Sequence, residues 1–308
     1  MSGLLTKATS SFRNEANLPL LVPTDRVMAS AGALVLIDPV HSTAPWASGV
    51  PANASDIPNV AWQQAATMIG SGTSASLAMT VQDSHQSADA EFERSSLGGL
   101  HGIYSQVNNV SGTAGVGRGY VIAAKSLIQT WLFNNPAHAY YISQWSRRTR
   151  ITKSGSPQPR VLDIGSGPNY LAQFDDTGEY GAGGLGSQAS PGPNTAGNTF
   201  RAGTAQGFTG TLPGSASGLQ VFAFGWGNFS EGYSVWANYA ASDIMYRTYI
   251  EDMTVSAAAG GYAGNGAISV AARYAELLAM DYGLYQQEVL TTGGKFYGDT
   301  FTDPSTFP

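Results

Sequence analysis

Glu91, Glu93 and Arg94 place two carboxylates and a guanidinium in one short run, with the acids at the i, i+2 spacing that shares a strand face. That is the least a glycoside-cleaving acid and nucleophile require, although a single alternating pair in a polar stretch more often marks a solvated strand edge. His41, His85, His101 and His138 are scattered, without the i, i+4 spacing that sets two imidazoles on one helix face for zinc. Asp83, Asp163, Asp175, Asp176 and Asp252 are oxygen donors of the kind calcium takes, yet no loop has regular acidic spacing. Trp46, Trp226 and Trp236 are candidates for stacking on the apolar side of a sugar ring, the alternative being tryptophans of the core.

One segment carries a stronger cofactor signal. Val161-Leu162-Asp163-Ile164-Gly165-Ser166-Gly167-Pro168-Asn169-Tyr170 resembles the first motif of Rossmann-like methyltransferases, in which glycines after a strand let the backbone approach the cofactor. The unit also needs a helix directly after the glycines and an acidic residue roughly 20 positions on. Here Asp175-Asp176-Thr177-Gly178 and a Gly/Ser/Pro tract follow. Asn169 stands where a third glycine belongs, and Pro168 holds its predecessor extended. A hairpin strand is expected, with no cofactor.

The elements that would position these residues read mostly as strands. Ala33-Leu34-Val35-Leu36-Ile37 runs into the breaker Asp38-Pro39. Leu77 to Val81, Tyr120 to Ala123 and Ala139 to Trp145 follow, each bounded by Gly, Ser, Asn or Pro, and strand signal returns from Leu219 to Trp226 and from Tyr246 to Val255. Gly165 to Gly218 predicts loops joining short strands. Tyr274, Leu278, Tyr282, Tyr285 and Val289 recur at helical spacing, so Ser269 to Leu290 is expected to include a short C-terminal helix docked by that stripe. The fold class expected from these signals is all-β, an antiparallel β-sandwich.

Charged residues make up 12% of the 308, with 38 glycines among the small residues that replace them, against roughly 25% charged in soluble domains. So thin a charge coat is easier to sustain inside an assembly than alone. A net charge of −6, with Lys and Arg spread singly, offers phosphates no basic stripe, so nucleic acid is not an expected partner. There is no cysteine for disulfides or thiolate metal sites. No apolar run approaches the roughly 18 residues of a membrane span. Met1 to Val22, whose run Leu18, Leu20, Leu21, Val22 is broken by Pro19, does not read as a signal peptide, and synthesis in the cytoplasm is expected.

Residues 1–25 are expected to form an arm and residues 26–308 one sandwich domain with its helix and tail. Leu4, Leu5, Phe12, Leu18, Leu20 and Leu21 in the arm, with Phe296, Tyr297 and Phe301 in the tail, are the candidate assembly contacts. Each such side chain gains about 1.5–3 kcal/mol on burial. Folding back onto the same sandwich is the alternative.

Two segments, His138-Ala139-Tyr140-Tyr141-Ile142-Ser143-Gln144-Trp145 and Tyr249-Ile250-Glu251-Asp252-Met253-Thr254-Val255, resemble the laminin-G/concanavalin A-like superfamily. The first matches an aromatic-rich strand ending in Trp, the second a strand leading to an acidic dipeptide. Asp243 to Val255 and Lys295-Phe296-Tyr297-Gly298-Asp299-Thr300-Phe301-Thr302-Asp303-Pro304 are also similar to structural proteins of tailed bacteriophages that use this sandwich. The resemblance implies a jelly roll and a structural component of a phage virion, in the tail, baseplate or fibre apparatus or as a decoration. With that role come other virion proteins as partners, and the apolar anchors of the arm and tail lead to the expectation of a homo-oligomer or assembly subunit. Glycosidases of the superfamily keep three acids on alternate positions of a core strand, and its polysaccharide lyases use Gln-x-His; neither pattern occurs here. A non-enzyme is therefore expected, with no catalytic residue, cofactor or metal. A carbohydrate-binding protein for a host surface glycan is the second reading, and a polysaccharide-cleaving enzyme the third.

Overall fold

The computed structural model describes residues 30–85, 87–88, 90–107, 119–152, 161–166, 169–174, 179–181, 187–190, 194–206, 212–227 and 241–307. In chain order its elements are Ala33–Ile37 (β1), Asp56–Ile57 (β2), Trp62–Ile69 (α1), Met79–Asp83 (β3), Ala90–Arg94 (β4), Leu100–Tyr104 (β5), Gly119–Ala124 (β6), Ser126–Asn134 (α2) and Tyr140–Arg150 (β7). There follow Leu162–Ser166 (β8), Asn169–Phe174 (β9), Glu179–Gly181 (β10), Ser187–Ser190 (β11), Gly197–Ala205 (β12), Gln220–Gly227 (β13), Ser242–Asp252 (β14), Met253–Ala258 (α3) and Val270–Tyr285 (α4).

The strands form two antiparallel sheets. The first runs β11-β12-β7-β14-β5-β4, and the second β10-β9-β8-β13-β6-β3-β2. β7 lies against the whole of β14. On the other side of β14, β5 pairs with Asp243–Met245 and β1 with Thr248–Glu251, so those two short strands lie end to end. The far edge of β1 is closed by a side chain: Asn59 accepts from Leu36 N at 2.9 Å and donates to Leu34 O at 2.9 Å. An amide standing in for a strand leaves no bare edge there. Glycine is required at position 32, where a Cβ would stand 2.1 Å from the Asp252 carbonyl oxygen.

Period-2 alternation sorts the first sheet's side chains into two buried layers. Tyr140 and Ile142 of β7 and Ile250 of β14 enter the core shared with the second sheet, beside Ile122, Ile164 and Val221. Tyr141 and Trp145 of β7 and Tyr249 of β14 point the other way, into a second core under α4. The molecule is thus layered sheet, sheet, helix. Covered on both faces, β7 and β14 also bury polar side chains, which find partners there: Arg148 with Asp243, Glu251 with Arg273, and Gln144 with the Ala223 carbonyl.

β1 has the expected bounds, and β3, β6, β7 and β13 lie within a few residues of theirs. Four details differ from the expectation. The strand expected to reach Val255 stops at Asp252, whose carboxylate accepts from Val255 N at 3.2 Å and starts α3. Gly165 to Gly218, expected as loops joining short strands, holds β9, β10 and β11 of 6, 3 and 4 residues among its described residues, but β12 is longer than expected and pairs residue for residue with β7 over nine positions. Pairing to a well-formed neighbour overrides the weak strand propensity of Gly, Thr and Ala. α1 and α2 were not expected; Ala65, Ile128 and Leu132 join the inner core. Finally, α4 lies within the expected range and is capped by Ser269, but buries Arg273, Leu277, Asp281 and Tyr285, followed by Val289 one turn on. Tyr274, Leu278 and Tyr282 of the expected stripe only flank that face.

Candidate functional site: a strapped sheet face and the cleft at Trp46

The face of the first sheet that turns away from the second is fastened to the C-terminal segment by buried polar groups. Arg273 of α4 grips Glu251 of β14 with two bonds, Nε to Oε1 at 2.8 Å and Nη2 to Oε2 at 3.1 Å, and both side chains are wholly buried. Ser256 donates to Glu251 Oε1 at 2.5 Å, and the Tyr249 hydroxyl donates to Oε2. The Arg273 guanidinium also lies 3.8 Å from the Tyr262 ring centre. One turn beyond Leu277, Asp281 accepts from the Tyr141 hydroxyl at 3.0 Å and from Trp145 Nε1 at 2.9 Å. Burial, and then the Asp281 charge, pushes the Tyr141 phenol well above its ordinary value, so it remains a donor.

The residues after α4 continue as a strap. Asp299 accepts from Ser96 Oγ, Leu97 N and the Tyr246 hydroxyl at 3.0, 2.8 and 3.0 Å. Arg147 donates to the Asp299 carbonyl at 3.0 Å and lies 4.7 Å over the Phe301 ring. Arg150 donates to the carbonyls of Pro304 and Phe307 at 2.8 and 3.0 Å. Lys295 reaches Asp38 at the end of β1, 2.6 Å away. Arg147 and Arg150 therefore hold the chain's own tail, while Arg148 between them pairs with Asp243 of β14.

Glu93 and His101 close the strap. Glu93 accepts from Thr302 N at 2.8 Å and Thr302 Oγ1 at 2.7 Å, and its Oε1 lies 2.8 Å from His101 Nδ1. A carboxylate only accepts, so Nδ1 carries the proton; in neutral His101, Nε2 accepts from Thr149 Oγ1 at 2.8 Å. Burial of Glu93 works against its ionisation, but bonds from His101 and Thr302 outweigh this and hold its carboxyl below 4.5. His101 is pushed below 6.5 by burial, against the pull of Glu93. Between its folded value and 6.5, unfolded His101 binds more protons than folded His101, so stability falls as pH falls through that window. We expect the urea midpoint to drop between pH 7 and pH 5, and His101→Gln to flatten that drop; an equal slope in both proteins would exclude His101 as its source.

The other expected site residues are dispersed. Glu91 is exposed on β4, while Arg94 turns to the opposite face, with its guanidinium 5.4 Å over the Trp46 ring. His85 lies 2.5 Å from Asp83, and His138 lies 2.7 Å from Asp252. Among the described residues no group of three or more His, Asp or Glu side chains is placed to hold a metal. The glycine motif forms the antiparallel hairpin β8–β9, with no helix after its strand, so the cofactor unit is absent. Phe296 is only 1% exposed, its ring centre 4.4 Å from that of Tyr246, and is corrected from a contact to a core residue. Phe301 is half-buried in the strap, and Tyr297 is 46% exposed. Leu4, Leu5, Phe12, Leu18, Leu20, Leu21 and Trp236 lie outside the described residues, as does the side chain of Trp226.

Trp46 is corrected as well: at 7% exposure it offers no open ring face for stacking. It instead forms a wall of a cleft of about 220 Å³ bordered by Val50, Pro51, Ser55, Asp56 and Pro58. The loop is pinned from behind, with Trp46 N donating to Pro39 O at 3.0 Å, Ala54 N to Val81 O at 2.9 Å and the Tyr120 hydroxyl to Pro51 O at 2.8 Å. Ala54 is the one non-glycine residue with positive φ, 63°, among the described residues. The Trp46 indole N–H is buried without an acceptor, which costs about 1–3 kcal/mol. Asp56 and Lys125 pair at the rim, 2.7 Å apart.

Sequence reasoning missed Glu251, Arg273, Asp281 and Asp299 as the groups that organise this face. The available signal was a helical stripe whose i, i+4 positions include one Arg and one Asp.

No family model and no curated protein matches the chain. Among solved structures, it is similar to Trypanosoma rangeli sialidase in complex with 2,3-difluorosialic acid as the covalent intermediate, at 12% identity and a TM-score of 0.35. The match covers 82% of this chain and 34% of that one. It is similar also to the same sialidase in complex with 2-keto-3-deoxy-D-glycero-D-galacto-2,3-difluoro-nononic acid, at 13% identity and a TM-score of 0.34, over 82% of this chain and 33% of that one. The chain thus matches about a third of each sialidase. Likeness at this level fixes neither fold nor activity.

Proposed function

We propose that this chain is a non-enzymatic structural subunit of a bacteriophage particle, built on a jelly roll of the concanavalin A-like kind. The observation that carries the reading is the use made of its acids. Glu93, Asp243, Glu251, Asp252, Asp281 and Asp299 each bond to donors that join strands, helix and tail. Acids committed in this way serve rigidity, and rigidity suits a building block. The low charge supports the same role, and no helix among the described residues is long and apolar enough to cross a membrane.

The arm's apolar residues are the proposed contacts with copies of the chain and with other virion proteins, and Tyr297 is the exposed anchor left in the tail. Sedimentation of the whole chain is expected to show association that a chain lacking residues 1–25 has lost. Immunogold labelling of particles purified from the source that encodes the chain is expected to mark a fixed position on each particle. Label confined to the unassembled fraction would overturn the proposal.

A further inference from the structure

We propose that Asn265-Gly266 is a self-modifying site, at which Asn265 loses its side-chain amide through a succinimide and so loosens, with age, the turn that covers the Arg273–Glu251 pair. Asparagine is among the thermolabile residue types, and of the chain's asparagines only Asn265 is followed by glycine. Both residues are exposed, and a Cβ built on Gly266 would meet nothing within 4 Å. Gly266 N donates to no group among the described residues. That nitrogen is therefore open to the Asn265 side chain, with no side chain of its own residue in the way. Asn53 is the natural comparison: it is exposed as well, but Ala54 follows it and its Oδ1 accepts from Asp83 N at 3.0 Å.

The reaction needs no co-reactant but water. Gly266 N gives its proton to water and bonds to Asn265 Cγ, closing a five-membered ring; the Cγ–Nδ2 bond breaks, and the nitrogen takes up a proton and leaves as ammonia. Water then adds to one of the two ring carbonyls and reopens the ring. The product is aspartate, or isoaspartate, whose main chain runs through the side chain and is longer by one methylene. The base of the turn has no room for that extra length. Asn265 N and Gly266 O are the backbone atoms that a Cβ on Gly260 would strike, at 3.0 and 2.6 Å. Gly261 N donates to Ser256 O at 2.9 Å, Gly264 N to Gly260 O at 3.1 Å and Ile268 N to Ala257 O at 2.9 Å, so the turn is pinned on both sides of the pair. Between the pins, Tyr262 lies on the Arg273 guanidinium. The added methylene works against these bonds, and the added charge repels Glu276, on which Gly261 of the same turn is packed.

The site stands apart from the proposed structural role, and the test uses the isolated whole chain, so either idea can fail alone. The purified chain is aged in mildly alkaline buffer, and the peptides that hold Asn265 and Asn53 are followed by mass and chromatography. The Asn265 peptide is expected to take on the mass of the acid and to split into aspartyl and isoaspartyl peaks, at least about ten-fold faster than the Asn53 peptide is modified. The isoaspartyl peak is identified by its labelling with an isoaspartyl methyltransferase. Asn265→Gln, which would have to close a larger ring, is expected to stay unmodified at this position over the same period. Amide hydrogen exchange at Gly261, Gly264 and Ile268 is expected to be at least about ten-fold faster in the isoaspartyl chain than in the fresh one. The aged Asn265→Gln chain is expected to exchange those amides as the fresh chain does, which separates this site from ageing elsewhere. The proposal fails if the Asn265 peptide is modified no faster than the Asn53 peptide, if the isoaspartyl chain exchanges those amides at the fresh rate, or if the aged Asn265→Gln chain speeds up equally.

Discussion

Replacing Arg273 by Met is expected to lower the unfolding free energy by about 3–5 kcal/mol, seen as a lower urea midpoint with an unchanged slope. Arg273 and Glu251 are both wholly buried and joined by two bonds. Without the guanidinium, the carboxylate keeps only the Tyr249 and Ser256 hydroxyls as donors, and its charge has no buried counter-charge. The loss should therefore come mostly from an uncompensated charge, and a second change tests that account. Glu251→Gln placed in the Arg273→Met background is expected to recover a large part of the stability, because a buried pair replaced on both sides costs far less than one broken on one side. A single variant within about 0.5 kcal/mol of the parent, the range of a neutral surface change, would show that α4 is not held by this pair.

Phe296→Ala is expected to cost about 3–5 kcal/mol, the range for truncating a buried phenylalanine. Its ring is packed on Tyr246, with the Lys295 amino group 5.2 Å from its centre. Tyr246 in turn donates to Asp299, so the cavity would loosen one attachment of the strap. Tyr297→Ala, at the exposed neighbour, is expected to stay within about 0.5 kcal/mol in the isolated chain. Sedimentation should separate the two further: Tyr297→Ala is expected to weaken association while leaving the fold, and Phe296→Ala to act on the fold. A Phe296→Ala chain as stable as its parent but unable to associate would return Phe296 to the role of a contact residue.

Much of the strand framework was legible because β1 is apolar throughout and β7 and β14 each carry a run of aromatic and apolar residues, Tyr140 to Ile142 and Ile244 to Tyr246. The helical spacing of Tyr274, Leu278, Tyr282, Tyr285 and Val289 also placed a helix within Ser269 to Leu290, where α4 lies. The failure of the glycine motif was readable for the same local reason: with no helix-forming run behind it, the strand could only turn back as a hairpin, as β8 and β9 do.

What decided the rest lies between distant segments. Hydropathy places Arg273 and Asp281 on the wet side of a helix, and they become its buried stripe only because Glu251, Tyr141 and Trp145 wait for them on the sheet. β12 has little strand propensity of its own and is a strand because β7 supplies its partner. Trp46 looked like a platform in isolation, but Arg94, 48 positions later in the chain, covers its ring and leaves it a wall of the cleft. Residue type and local spacing therefore determined β1, β3, β6, β7, β13 and β14 and the stretch that holds α4. Partner choice across the sheets, which depends on charges meeting charges and donors meeting acceptors far away in sequence, was decided only by the tertiary structure.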